Sequence, residues 1–123
     1  MNIALWIIQL ILAITFLASG INKLARPRLA LAAQLPYVED FSDAQVKGIG
    51  TLEVGAAIGL VAPPLVHFAT FLTPLAAVGL VLLMAGAVVT HLRRREQQMV
   101  WVNGVLLILA AVVAVGRFGP YQL

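Results

Sequence analysis

Very few side chains in this sequence can do chemistry, and most of them sit where water should be scarce. No cysteine occurs among the 123 residues. That removes thiolate nucleophiles, disulfide exchange, persulfide carriage and iron–sulfur ligation from what the chain performs alone. The two histidines, His67 and His91, fall at opposite ends of one apolar segment, about 36 Å apart if that segment is helical. One chain cannot bring both to a single ion, so neither a metal site nor a haem or other cofactor is expected. No HExxH, GxGxxG, P-loop or Ser-His-Asp arrangement is present. What remains is one carboxyl, Glu53, inside Gly50-Thr51-Leu52-Glu53-Val54-Gly55-Ala56. A few other polar residues are similarly embedded: Ser19, Asn22 and Lys23 together, Thr90 beside His91, and Asn103, Gln9 and Thr15 singly.

The elements that must position them follow from composition. The chain is 62% hydrophobic and 11% charged, with a mean hydropathy of +1.01. A soluble domain this small could not hide so much apolar surface. Four apolar segments, about Ile3–Leu24, Val46–Val61, Phe68–Leu92 and Met99–Val115, approach the roughly 20 residues that cross a bilayer. Lipid forces each to satisfy its own backbone, and none alternates like a barrel strand, so each is expected to be a helix. The first is expected to remain as a helix and not to act as a cleaved signal peptide, because its positive charges (Lys23, Arg26, Arg28) follow the apolar stretch. The fold class is therefore all-α, a single domain forming a four-helix transmembrane bundle.

The connections refine this. Pro27 suits the first turn of a short interfacial helix, Arg28–Leu35, between helices one and two, with Leu29, Leu31 and Leu35 resting on the membrane interface and Pro36 stopping it. Ser42 and Gln45 read as a capping box opening the second span. Pro63-Pro64 is expected to end that span. Pro74 either kinks the third or marks its true start. Gly55 and Gly59 form a GxxxG pattern, and Gly79 and Gly86 share a face, which favours close packing within the monomer over an oligomer built on Gly55 and Gly59. Lys23, Arg26, Arg28, Lys47 and Arg93, Arg94, Arg95 flank the first and third loops, and only Arg117 lies elsewhere. Those loops are expected to be cytoplasmic, with both termini outside, in a multi-pass protein of a bacterial inner membrane. The net charge of +3 is thus a topology signal, and no nucleic-acid partner is expected.

Threading four spans this way brings the polar residues to one level. Helices one and three end on the inner side, where two and four begin. Ser19, Asn22 and Lys23 then share a layer with Glu53, with Thr90 and His91, and with Asn103. An ionised side chain near the membrane centre costs at least ~2.5–3.5 kcal/mol, so Glu53 must be protonated or compensated, and Lys23 is the obvious partner. Such a layer reads either as a functional pocket or as an ion pair fixing helix register. Gln9 and Thr15 read as interhelical hydrogen-bonders, and Arg117 as an interfacial anchor.

Ser19-Gly20-Ile21-Asn22-Lys23-Leu24 resembles the SGxxKL signature of DoxX-like membrane proteins. Gly50-Thr51-Leu52-Glu53 resembles their G-x-x-E motif, followed by the proline turn at Pro63-Pro64, and Ala87-Val88-Val89-Thr90-His91 resembles their third-helix ending. The resemblance covers nearly the whole chain and implies a four-helix membrane fold. It maps Lys23, Glu53 and His91 onto recurrent polar positions of the family, but transfers no catalytic residues. The family takes its name from a subunit associated with thiosulfate:quinone oxidoreductase, and a wider group includes animal proteins that assist receptor assembly or escort cargo. Two functions are therefore carried forward. One is a non-catalytic module binding a partner membrane protein or a small hydrophobic molecule through the inner polar layer. The other is a quinone-facing accessory subunit of a membrane oxidoreductase, with Glu53 and His91 relaying protons.

Overall fold

The computed structural model describes residues 2–27, 30–31, 35 and 41–119. Four helices account for almost all of them: α1 (Asn2–Ala25), α2 (Asp43–Val66), α3 (Leu72–Arg93) and α4 (Gln97–Phe118). Each has 22 or 24 residues, which at 1.5 Å per residue spans about 33–36 Å, enough for a hydrocarbon core of roughly 30 Å. All four are long and apolar enough to cross a membrane. Each helix packs on its neighbour in sequence, and α4 closes the ring against α1.

The burial pattern inverts that of a soluble bundle. Ile3, Ile14, Leu82, Trp101 and Val115 point outward, while Gln9, Lys23, Glu53, Thr73, His91, Asn103 and Arg117 are buried. Lipid solvates the outer apolar surface and offers the polar groups nothing, so they turn inward and pair. Between the polar levels, Leu12, Phe16, Leu60, Leu80, Met84 and Val113 form the apolar centre.

The helix boundaries correct the sequence reading in two places. The capping box is present: Ser42 Oγ accepts from Gln45 N at 3.1 Å, and Gln45 Oε1 accepts from Ser42 N at 2.9 Å. α2 therefore opens at Asp43. Pro63-Pro64, however, does not end it. α2 runs through both prolines to Val66. Proline removes the hydrogen bond to the carbonyl four residues back, which frees Gly59 O and Leu60 O. Those two carbonyls are met from other helices, by Thr73 Oγ1 at 2.8 Å and Gln9 Nε2 at 2.7 Å. Side-chain donors thus replace the missing amides, which is how prolines persist inside membrane helices. The helix stops at His67, which adopts the left-handed conformation (φ 54°) and returns its N–H to Pro63 O. His67 consequently belongs to the end of α2, and α3 begins only at Leu72, with Pro74 in its first turn where no amide is needed.

Most of the interfacial helix expected over Arg28–Leu35 lies outside the described residues. Leu31, expected on its interfacial face, is fully buried against Val46, with Leu35 and Phe41 packed around the pair.

Candidate functional site: a cavity floored by Lys23 and Glu53

Two glycines set the geometry of the inner layer. A Cβ placed on Gly20 would lie 2.7 Å from Gly50 O, and one on Gly50 would lie 2.9 Å from Lys23 Cβ and 3.0 Å from Gly20 O. Backbone meets backbone at this crossing, which only residues without side chains permit. Lys23 and Glu53 each lie three residues beyond one of these glycines, so the close approach carries them to each other. Lys23 Nζ sits 2.7 Å from Glu53 Oε1, with both side chains at most 5% exposed. Apart from this ion pair, the buried Glu53 Oε1 accepts no hydrogen bond among the described residues. Lys23 Nζ also donates to Ser19 Oγ at 2.7 Å, one turn back on α1.

Lys47, read from sequence only as a loop charge, has a structural job here. Its ammonium donates to the carbonyls of Lys23 at 2.6 Å, Leu24 at 3.4 Å and Arg26. It thereby caps the C-terminal end of α1, where unpaired carbonyls and the helix dipole favour a cation.

The ion pair lines a cavity of about 390 Å³ to which all four helices contribute. Thr15, Ser19, Lys23, Glu53, Thr90, His91 and Asn103 supply its polar wall, and the rest is apolar, including Phe16, Met84 and Leu106. The surface-exposed residues Leu82 and Val102 also line it, so it reaches the lipid-facing side of the bundle. Of the six residues singled out from the sequence, five line this cavity. Asn22 does not: it is half-buried beside Lys23 on α1 and lies outside the cavity wall, because a step of one residue turns its side chain about 100° away. Ser19 and Asn103 share the layer with Glu53 but bond locally: Ser19 Oγ accepts from Lys23 Nζ, and Asn103 Nδ2 donates to Met99 O on its own helix at 2.8 Å. His91 Nδ1 lies 2.8 Å from Glu96 Oε1, which also meets Arg94 Nε at 3.4 Å. The tight turn from α3 to α4 therefore ties the histidine to a carboxylate, with Arg95 in the left-handed conformation (φ 58°).

A second polar cluster occupies the opposite end of the bundle. Arg117 is not an exposed interfacial anchor but 2% exposed. Its Nε donates to Gln9 Oε1 at 2.7 Å, and its Nη1 to Asn2 Oδ1 at 2.6 Å. Its guanidinium carbon lies 5.9 Å from the centre of the Trp6 ring. Gln9 thus links α1 to both α2 and α4, as an interhelical hydrogen-bonder should. Thr15 does not: it donates to Ile11 O within α1. In the GxxxG pattern, Gly59 packs against Ala76 of α3, whereas a Cβ on Gly55 would meet nothing within 4 Å.

Four apolar helices, lipid-facing hydrocarbon and buried charge define a small multi-pass membrane protein. A model of the DoxX-like family matches residues 7–113, and the chain belongs to that family. No curated protein and no solved structure matches it. Within the matched stretch, Gly20 and Gly50 build the α1–α2 crossing, and Lys23 and Glu53 form the ion pair.

Proposed function

We propose that this protein is a non-catalytic membrane module that holds a small hydrophobic molecule in the cavity between its four helices. One observation carries the reading: a largely apolar cavity of about 390 Å³ is lined by the buried pair Lys23 and Glu53. That size and that pairing of apolar walls with a few convergent polar groups match small-molecule sites, which run to roughly 300–1,000 Å³. The exposed residues at the rim give a lipophilic molecule a route from the bilayer. Native mass spectrometry of protein released from membranes in mild detergent tests this. A co-purifying small molecule is expected, and Ala87→Phe, which fills the cavity, should abolish it while the chain remains folded. Retention of the same molecule by the filled variant would sink the cavity reading.

A second reading, a quinone-facing accessory subunit of a membrane oxidoreductase, is favoured by one feature: Glu53 and His91, two groups able to exchange protons, line the same cavity. A quinone in the same mass spectrum would support it. A partner membrane protein engaging this end of the bundle is a third occupant that the experiment would reveal.

The proposal includes an orientation, with the Arg93–Arg95 turn in the cytoplasm of a bacterial inner membrane. Its motive is the clustering of Lys and Arg on the loops at that end. The chain has no cysteine, so single cysteines report cleanly. At position 67 a thiol should react with an impermeant maleimide in intact spheroplasts, and at position 95 only after permeabilisation. The opposite pattern would invert the protein.

A further inference from the structure

The polar groups of the cavity are unequal in what they still offer, and this restricts what can bind. The inference rests on the cavity reading above and adds the chemistry of the occupant. Charge comes first. Lys23 and Glu53 are 2.7 Å apart and both buried, so wherever the proton sits the pair sums to zero. His91 faces Glu96, Glu96 also meets Arg94, and the Lys47 ammonium is spent on the carbonyls ending α1. No isolated charge is therefore directed at the cavity by the described residues. A cationic or anionic head would enter without a counter-charge and would compete with an existing pair.

Hydrogen bonding comes second. The wall residues spend donors on protein oxygens: Thr15 on Ile11 O, Thr90 on Gly86 O, Asn103 on Met99 O and Lys23 on Ser19 Oγ. Glu53 Oε1 is the converse case. It is a buried acceptor that carries the charge of an ion pair yet accepts no hydrogen bond among the described residues. A carboxylate oxygen has two lone pairs and the ammonium meets it from one direction, so a group that fills the remaining site must bring its own hydrogen. We propose that the occupant is an electrically neutral, lipophilic alcohol or phenol whose hydroxyl donates to Glu53 Oε1 beside Lys23, with its hydrocarbon body lying between Phe16, Met84 and Leu106. A carbonyl or ether oxygen of the same shape has no proton to give and is disfavoured at this position.

The test needs no variant in its first arm. Wild-type protein in mild detergent is titrated with 4-nonylphenol and with its methyl ether, 4-nonylanisole, following binding by the rise in melting temperature. The phenol is expected to bind about tenfold tighter or more, the range for a hydrogen bond to a charged acceptor. Decylamine and decanoate should bind more weakly than the phenol. In the double variant Lys23→Met/Glu53→Met, which removes both charges together, phenol and ether should bind alike. Equal binding of phenol and ether to the wild type, with both displaced by Ala87→Phe, would overturn the hydroxyl rule and leave the cavity reading standing. Tighter binding of either charged probe would overturn the neutrality of the occupant. Indifference of every probe to Ala87→Phe would overturn the cavity reading and this inference with it.

Discussion

Glu53→Ala is expected to lower the stability of the bundle by about 3–5 kcal/mol, the range for removing one partner of a buried ion pair. The measurement is reversible denaturant unfolding in mixed micelles, compared with the wild type. The substitution strands Lys23, and the surroundings of Lys23 set the size of the effect. From sequence alone the lysine sits in the last turn of a helix, from which a long side chain commonly reaches water, and a loss at the low end would follow. In the fold it is only 4% exposed. Its ammonium points into the bundle at Ser19 and Glu53, and Lys47 holds the carbonyls of the adjoining turn. Reaching water would break those contacts, so the full range is expected. Glu53→Gln keeps a polar oxygen near the ammonium and should cost less. Lys23→Met/Glu53→Met removes both charges and should recover most of the loss, since apolar replacement of a whole buried pair is often neutral or better. A Glu53→Ala variant within about 0.5 kcal/mol of the wild type, the usual scatter of surface substitutions, would mean that the pair contributes nothing to the fold.

Much of this arrangement is legible in the sequence because lipid leaves the chain few choices. Long apolar runs must be helices, and a lone carboxyl among Gly, Ala, Val, Leu and Ile must find company, so α1 to α4 and the Lys23–Glu53 pair follow from composition and threading. Where the reading fails, the cause is an interaction between distant segments. Pro63-Pro64 reads as a helix end because the local rule is strong. It is overridden by Gln9 and Thr73, whose donors replace the lost amides at Leu60 O and Gly59 O. A signal was present: two apolar segments each carry a side-chain donor at the level of the prolines, with no local partner to explain it. Arg117 reads as an anchor because arginine near a span end generally is one. Its burial depends on Gln9 and Asn2, more than a hundred residues away in the chain. Asn22 fails for a simpler reason. Membrane depth places it beside Lys23, but depth does not say which face of α1 a side chain occupies. The apolar wall of the cavity, including Phe16 and Met84, carries no mark that separates it from ordinary core.

The same logic applied to the backbone gives the second large effect. Gly20→Val is expected to destabilise the bundle as severely as Glu53→Ala, and the two losses should not add. A Cβ on Gly20 would stand 2.6 Å from Val54 Cγ2, 2.7 Å from Gly50 O and 3.0 Å from Val54 N. Two of those three atoms belong to the backbone of α2 and cannot swing aside as a side-chain tip would. Overpacking a tight contact typically costs roughly 1–3 kcal/mol, and more where the backbone must shift, so Gly20→Ala should fall within that range and Gly20→Val beyond it. Gly48, on the same helix as Gly50, has nothing within 4 Å of its Cβ position. Gly48→Ala is therefore the control, expected to be neutral or to stabilise by about 0.5–1 kcal/mol through helix propensity alone. Pushing α1 and α2 apart at Gly20 also draws Lys23 away from Glu53 one turn further on. In Gly20→Val the ion pair is already weakened, so adding Glu53→Ala should cost less than it does in the wild type. The double-mutant cycle should then show a coupling of about 1 kcal/mol or more. Strict additivity would separate the glycine crossing from the ion pair, and the close approach of α1 and α2 would no longer explain how the carboxyl and the ammonium meet.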